Sequence, residues 1–458
     1  MEKRFETLRK EYPVFTYNSY NWGKQGDDLL LTYDFSIGES IRFTPSIRFM
    51  NHPAYSRFYR KNGMKCLENF VFHIGMIELI SYWKCCCPPE IRIACAHLDE
   101  PALKWWKKLY YHGLGEFFYL NHIRTSMEDF VQIRCDSDRR IPMERFELQD
   151  SHIVPVGGGK DSVVTLETLK SESTPPLPMI INPRGATIGC VAASGLSEGF
   201  LEIRRTIDPK LLELNAEGYL NGHTPFSAML AFHSMLAAAL SGRSRIALSN
   251  ESSANEPTVQ DSDVNHQYSK SLEFESDFRD YVRQYLSDQI SYYSFLRPLS
   301  ELQIAKLFAG QPAYFRVFRS CNVGSKSDIW CGHCAKCLFA FIILSPFIAP
   351  EELAAIFGKN LFEDETLLPT LKELCGVTEV KPFECVGTRE EVCMALCESM
   401  KRYMKLPELL EWFSNSPLYR QYCEKDFNDL TRAWDSNHFL PETEALLLKR
   451  RLGIQTIL

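Results

Sequence analysis

Residues 153–162, Ile-Val-Pro-Val-Gly-Gly-Gly-Lys-Asp-Ser, constrain the fold more than any other stretch of this chain. A short apolar run passes through three glycines and enters a helical pattern carried by Val163, Val164, Leu166 and Leu169. Glycines lack a Cβ, so their backbone bends tightly and brings N–H groups against an anion. The start of a helix adds unpaired amides and the positive end of the peptide dipole. A strand, a glycine turn and a helix in this order therefore predict a phosphate site built from Gly157, Gly158 and Gly159. Lys160 adds charge to it and Ser162 a hydroxyl donor. Asp161, an acid among phosphate-binding groups, is expected to orient Mg²⁺ or a lysine. Read without a ligand, the same residues are a glycine-rich turn between strand and helix.

Two common phosphate motifs do not fit. The dinucleotide fingerprint needs a third glycine where Ser162 stands, and Walker A needs Ser or Thr where Asp161 stands. The segment resembles the PP-loop, Ser-Gly-Gly-x-Asp-Ser, with Gly157 in place of the first serine. That resemblance implies an ATP pyrophosphatase of HUP-like fold, which splits ATP between its α- and β-phosphates with Mg²⁺. It also implies that the next strand, Met179 to Asn182, lies beside the adenine, which makes Asn182 a nucleotide contact. Asn221-Gly222-His223-Thr224-Pro225 resembles the Gly-His turn of such enzymes, and Arg297-Pro298-Leu299 resembles their Arg-Pro-Leu segment.

The surroundings fit a doubly wound, mainly parallel α/β sheet over residues 150–347. Short apolar runs (Ile153–Val156, Met179–Asn182, Arg245–Leu248) alternate with helical patterns. Pro225 to Leu240 is apolar nearly all round, so it reads as a buried helix, with Thr224 as N-cap and Gly242 beyond its end. Residues 1–149 read as an N-terminal α+β domain, with alternating segments at Leu29–Phe35 and Ser40–Phe43. A helix around Phe70–Trp83 is stopped by Pro88-Pro89. Residues 348–458 read as a C-terminal helical domain, with helices at Glu351–Phe357, Glu390–Tyr403 and Leu406–Phe413.

A net charge of −7 argues against a surface made to neutralise many phosphates, so no nucleic acid partner is expected. The longest apolar run, Cys337 to Ala349, is broken by Ser345-Pro346 and too short to span a bilayer. No membrane partner is expected, and the charged start carries no secretion signal. The 16 cysteines are scattered along the chain, which together with that start points to a soluble cytoplasmic protein with reduced thiols. Four of them, Cys321, Cys331, Cys334 and Cys337, have the number and spacing of a closed tetrahedral zinc site. Their spacing resembles the structural zinc site of deazaguanine nitrile synthases; a thiol cluster without metal is the plain alternative.

The substrate side is expected on two polar stretches. Ser249-Asn250-Glu251 follows a strand and so lies at a carboxyl end, where open α/β sheets bind ligands. Asn265-His266-Gln267-Tyr268-Ser269-Lys270-Ser271 is too polar to bury without partners, so it is a binding loop or a solvated one. Tyr110 to Phe118, with Gly113 and Gly115, is either a second binding turn or a packed aromatic corner. Lys381 to Gly387 is a similar case, and its Cys385, read as a lone thiol, is more often inert than reactive.

Together with Ser81-Tyr82-Trp83-Lys84 and Pro88-Pro89-Glu90-Ile91, these segments resemble the MurL family of UDP-N-acetylmuramoyl-L-alanyl-L-glutamate epimerases, from about residue 80 to 390. The resemblance implies ATP-dependent inversion of the terminal L-glutamate of UDP-MurNAc-L-Ala-L-Glu through an acyl-adenylate. AMP and diphosphate are released, and the product serves peptidoglycan synthesis downstream of an L-Glu-adding Mur ligase. Adenylation neutralises the carboxylate, so the α-carbon can lose its proton to a base. On this reading His266 and Tyr268 are the base and acid candidates, and Lys270 neutralises a substrate carboxylate or phosphate. Asn250, Glu251, Asn265 and Arg297 contact the substrate. The alternatives are another PP-loop enzyme (a tRNA-thiolating or deazaguanine nitrile synthase type) and a non-catalytic nucleotide-binding regulator. AMP formation separates the enzymes from the regulator.

Overall fold

In the computed structural model, which describes residues 2–255, 265–378 and 380–454, an 11-stranded mixed sheet runs through the first 295 residues. Its strands are β1 (Val14–Gln25), β2 (Asp28–Ile37), β3 (Ile41–Phe43), β4 (Ser46–Phe49), β5 (Glu90–Ile93) and β6 (Gln132–Cys135). They continue with β7 (Gln149–Pro155), β8 (Leu177–Ile181), β9 (Leu201–Thr206), β10 (Arg243–Leu248) and β11 (Ser291–Ser294). The order is β11-β10-β7-β8-β9-β4-β2-β1-β5-β6, with β3 paired to β2. From β11 to β9 every neighbour is parallel. From β9 through β4 and β2 to β1 the pairs are antiparallel, and β5 and β6 then run parallel to β1.

The parallel half shows why its strands are short apolar runs. Successive residues of a strand point to opposite faces, and both faces are covered. Ile153, Met179 and Ile246 belong to one core with Met229, Phe232 and Met235 of the helix Phe226–Ser241. Val154, Ile180 and Ala247 belong to the other, with Val163, Val164 and Leu166 of the helix Lys160–Leu169. The buried helix begins one residue later than the sequence suggests. Pro225, not Thr224, holds the cap position and makes no side-chain cap bond, while Gly242 closes the helix at φ +68°.

The sheet passes without interruption over residue 149/150, where the sequence reading divides the chain. β4 pairs with β9 from Ser46 opposite Thr206 to Phe49 opposite Ile203. Behind that seam, Arg205 of β9 donates to the buried Glu78 carboxylate at 2.8 Å and to Ser81 at 3.0 Å. Both acceptors lie on the helix Glu68–Trp83, whose last 15 residues are all buried.

Residues beyond 349 are helical, with helices at Pro350–Phe357, Leu368–Leu374, Arg389–Met400, Glu408–Ser414, Pro417–Tyr422, Phe427–Arg432 and Glu442–Leu452. One feature corrects the expectation of reduced thiols throughout. Cys397 and Cys423 form a disulfide, brought together by the packing of helices Arg389–Met400 and Pro417–Tyr422, with Cα atoms 5.2 Å apart. No helix among the described residues is long and apolar enough to cross a membrane.

Candidate active site

In an open parallel sheet, strand order reverses at one point, and the turns leaving the two strands there diverge to opposite faces and leave a crevice. Here that point lies between β7 and β10. The turn after β7 carries Gly157–Gly159, and the turn after β10 carries Ser249–Glu251. The two are tied by a 2.8 Å hydrogen bond between the Thr165 and Ser249 hydroxyls.

Gly158 is the glycine the loop cannot replace. It sits at φ +83°, and a Cβ there would lie 3.0 Å from Ala186 Cβ and 3.1 Å from the backbone of Ala186 and Thr187. Its carbonyl accepts the Arg319 amide at 2.8 Å. Gly159 then caps the helix Lys160–Leu169 with extended backbone and no side-chain cap bond, which leaves that helix start able to receive an anion.

The residues after the glycines form a buried ionic cluster. The Lys160 ammonium bridges Asp161 and Glu301, the latter from the helix Glu301–Ala309 after Arg297-Pro298-Leu299. Burial alone would lift the Asp161 pKa, but Lys160, Lys336 and Lys270 hold it below the usual carboxylate range. Burial lifts Glu301 above that range, against the pull of Lys160. Lys160 is thus committed to two carboxylates rather than aimed into open space, and Ser162 donates to the Gly159 carbonyl at 3.0 Å. Asn182 stands apart. It is exposed, at φ +51°, and ties β8 to β9 by accepting the Arg205 amide at 2.8 Å and donating to its carbonyl at 3.1 Å.

A cavity of about 510 Å³ opens over this crevice, lined among others by Gly157, Gly159, Asp161, Ser162 and Arg184 on the loop side. That is room for a nucleotide-sized ligand. Across from them it is lined by Asn250, His223, His266, Lys270, Lys336 and Cys385. These arrive from four distant parts of the chain. His266 Nδ1 bonds the Glu116 carboxylate, which also lies 3.3 Å from His223 Nδ1. Glu116 is delivered by the Tyr110–Phe118 segment, where Gly113 lets the Pro225 ring come within 2.9 Å of the space its Cβ would fill. Lys270 Nζ lies 3.1 Å from Cys385 Sγ, and Lys336 donates to the Cys385 carbonyl.

Electrostatics sort these groups. Burial pulls His266 down, but its hydrogen bonds with Cys385 and Glu116 win and raise it to about 9. Burial and the neighbouring His266 push His223 down to about 4. Burial raises the Cys385 thiol, yet Lys270, His266 and Lys336 outweigh it and bring it down to about 6. Near neutral pH the cluster therefore holds an imidazolium, a neutral imidazole and a thiolate.

Several residues singled out in the sequence hold other positions. Tyr268 is buried with its ring 4.9 Å from His112 and tilted by 28°, packed beneath the loop instead of lining the cavity. Burial also raises its hydroxyl pKa, so it is a poor proton donor or acceptor near neutrality. Arg297 is 0% exposed and donates to the Glu251 carbonyl (2.7 Å), the Lys270 carbonyl, Ser294 and Glu275, so it holds the site from behind and does not reach a substrate. Glu251 is buried and accepts from Ser253 at 3.1 Å; Asn265 accepts the Gln267 amide at 2.8 Å and shapes the turn. Asn250 lines the cavity as expected, donating to Ser294 at 3.0 Å. Glu116, Lys336 and Cys385 were missed. Only the candidate binding turns at Tyr110–Phe118 and Lys381–Gly387 signalled Glu116 and Cys385, with nothing to show that they converge.

The four cysteines converge as their spacing suggests. Sγ–Sγ separations are 3.7 Å for Cys321–Cys334 and for Cys331–Cys337, and 3.5 Å for Cys334–Cys337. A tetrahedron with metal–sulfur bonds of about 2.3 Å has edges of about 3.8 Å, so the set is close to the size zinc needs. Gly332 turns the knuckle at φ +72°, and the Gly324 amide donates to Cys321 Sγ at 3.1 Å.

Comparison with known proteins places this geometry in context. Residues 6–295 match the MurL N-terminal domain, and residues 317–414 match the MurL C-terminal domain. The chain is 39% identical over 402 residues to the UDP-N-acetyl-alpha-D-muramoyl-L-alanyl-L-glutamate epimerase of Micromonospora sp., covering 85% of this chain and 87% of that protein. It is 35% identical over 408 residues to the enzyme of the same name from Salinispora tropica, with 85% of both chains covered. The Xanthomonas oryzae pv. oryzae protein of that name is 36% identical over 326 residues, 69% of this chain and 71% of its own. No solved structure matches the chain significantly.

Proposed function

The chain belongs to the MurL family, and from that membership we propose that it inverts the terminal L-glutamate of UDP-MurNAc-L-Ala-L-Glu, using ATP to form an acyl-adenylate and releasing AMP and diphosphate. The observation that supports the ATP step is the Gly158 turn: a left-handed glycine pressed against Ala186 sits between Gly157 and Gly159, which line the cavity together with Asp161 and Ser162 of the helix start. The adenylate is the chemical reason for ATP. Removing the α-proton next to a free carboxylate places a second negative charge beside the first, whereas an acyl-adenylate takes the charge into its carbonyl as an enolate.

In this reading Gly157, Gly159 and Ser162 bind the nucleotide phosphates, and Asp161 is the carboxylate that would hold Mg²⁺. Bound there, the ion would supply charge neutralisation at the diphosphate. Lys160 stays paired to Glu301 and fixes Asp161. Lys270 and Lys336 face the glutamyl carboxylate and the developing negative charge. Product assembly would depend on an enzyme that attaches L-glutamate upstream, a ligase of the Mur type. The test is an incubation with ATP, Mg²⁺ and UDP-MurNAc-L-Ala-L-Glu. AMP, diphosphate and D-glutamate after hydrolysis are expected together; D-glutamate formed without ATP, or ADP in place of AMP, overturns the adenylate.

Zinc at Cys321, Cys331, Cys334 and Cys337 belongs to the same proposal, as a structural ion. A fully ligated zinc keeps no open position for catalysis. It would pin the start of the helix Ala335–Leu344, where Lys336 sits in the first turn. Purified protein is expected to carry stoichiometric zinc by elemental analysis. Cys331→Ser should lose the metal and more than about 4 kcal/mol of stability. An unchanged denaturation midpoint in that variant would argue against a structural zinc.

A further inference from the structure

The Lys381–Gly387 segment, matched as part of the C-terminal domain, lies against the cavity through Cys385, a partly exposed free thiol. Three contacts set its chemistry. Lys270 Nζ lies 3.1 Å from its sulfur, Lys336 binds its carbonyl, and His266 stands between it and Glu116, hydrogen-bonded to both. A thiol, an imidazole and an orienting carboxylate in series are the arrangement that activates sulfur in other enzymes. Nothing assigned so far uses it.

We propose that the Cys385 thiolate is the catalytic base that takes the α-proton of the activated glutamyl residue, while Glu116 and His266 act as positioning residues that keep the sulfur ionised. The inference rests on the epimerase reading above. His266 and Lys270 both hold their protons near neutrality and cannot accept another, whereas the sulfur beside them is the group whose anion their charges stabilise. In the step, the Cα–H electron pair moves into the enolate of the acyl-adenylate and the proton goes to Sγ. Water in the cavity protonates the opposite face of the α-carbon. The hydroxide left behind takes the proton from Sγ, which restores the thiolate and leaves no net change in water.

Two partial reactions separate this role from folding. With ATP, Mg²⁺ and UDP-MurNAc-L-Ala-L-Glu in D₂O, wild type should exchange labelled diphosphate into ATP and place deuterium at the glutamate α-carbon. Cys385→Ser should keep the diphosphate exchange and lose α-deuteration by at least about a hundredfold. Deuteration at the wild-type rate in that variant, or a glutamyl thioester trapped on Cys385 of the wild type, overturns the proposal.

If the serine variant loses both reactions, the pH profile of iodoacetamide alkylation at Cys385 in wild type decides. The groups facing the sulfur are Lys270, His266 and Lys336, with Glu116, Asp161 and Glu251 behind them and Glu384 adjacent in sequence. The expected midpoint is near pH 6, shifted upward in Glu116→Gln. A midpoint at or above that of an ordinary thiol overturns the proposal. A failure of the epimerase reading looks different, because wild type itself then shows neither partial reaction with this substrate.

Discussion

Gly158→Val is expected to lower ATP–diphosphate exchange by at least about a hundredfold while the chain remains folded. At φ +83° a side chain costs about 1–2 kcal/mol on backbone grounds alone, and a β-branched one more. Its Cβ also has no room, 3.0 Å from Ala186 Cβ and 3.1 Å from the Thr187 amide nitrogen. The helix Gly185–Ser194 cannot retreat freely, because the Ala186 amide is held by Asp328 at 2.7 Å. The strain is relieved by moving the loop, and a displacement near 1 Å is enough to spoil phosphate alignment. Gly23→Ala is the control, since a Cβ there meets nothing within 4 Å and the residue does not line the cavity. Exchange at the wild-type rate in Gly158→Val would remove the loop from nucleotide binding.

Arg297→Met should destabilise the chain by about 3–5 kcal/mol, a large part of a typical 5–15 kcal/mol total. The guanidinium is completely buried, and its loss leaves the Glu275 carboxylate charged and unpaired, along with the carbonyls of Glu251 and Lys270. Removing both partners is the informative comparison. Arg297→Met with Glu275→Leu should recover part of the loss in urea unfolding, because no charge is then left buried. Activity should not recover with it, since Lys270 loses the bond that holds its backbone. A single variant as stable as wild type would show that water reaches Glu275.

What the sequence made legible is what short range determines. Three glycines follow an apolar run and Val163 through Leu169 carries its own periodicity, so the strand, turn and helix there were legible from residues in a row. The cysteine knuckle was visible for the same reason. Arg297 shows the limit. Its Arg-Pro-Leu surroundings marked the segment, but burial depends on Glu275, 22 residues earlier, and no local pattern distinguishes a guanidinium facing a substrate from one facing a carboxylate inside. Tyr268 was placed at the substrate because its polar run reads as a binding loop, while His112 and Phe274 cover its ring. Glu116 and Cys385 were unreadable for a different reason. They are 269 positions apart, and only the β4–β9 pairing and the packing of the C-terminal helices bring them to one imidazole.

The seam between β4 and β9 also determines what can be borrowed from this molecule. A fragment cut free at residue 150 would bare the whole hydrogen-bonding edge of β9, an open invitation to pair with another chain. It would leave the Arg205 guanidinium without Glu78, and His266 without Glu116. The part of the chain that carries the glycine loop is therefore not a portable cassette that could be traded between scaffolds. Its chemistry and its solubility are both lodged in the residues that precede it.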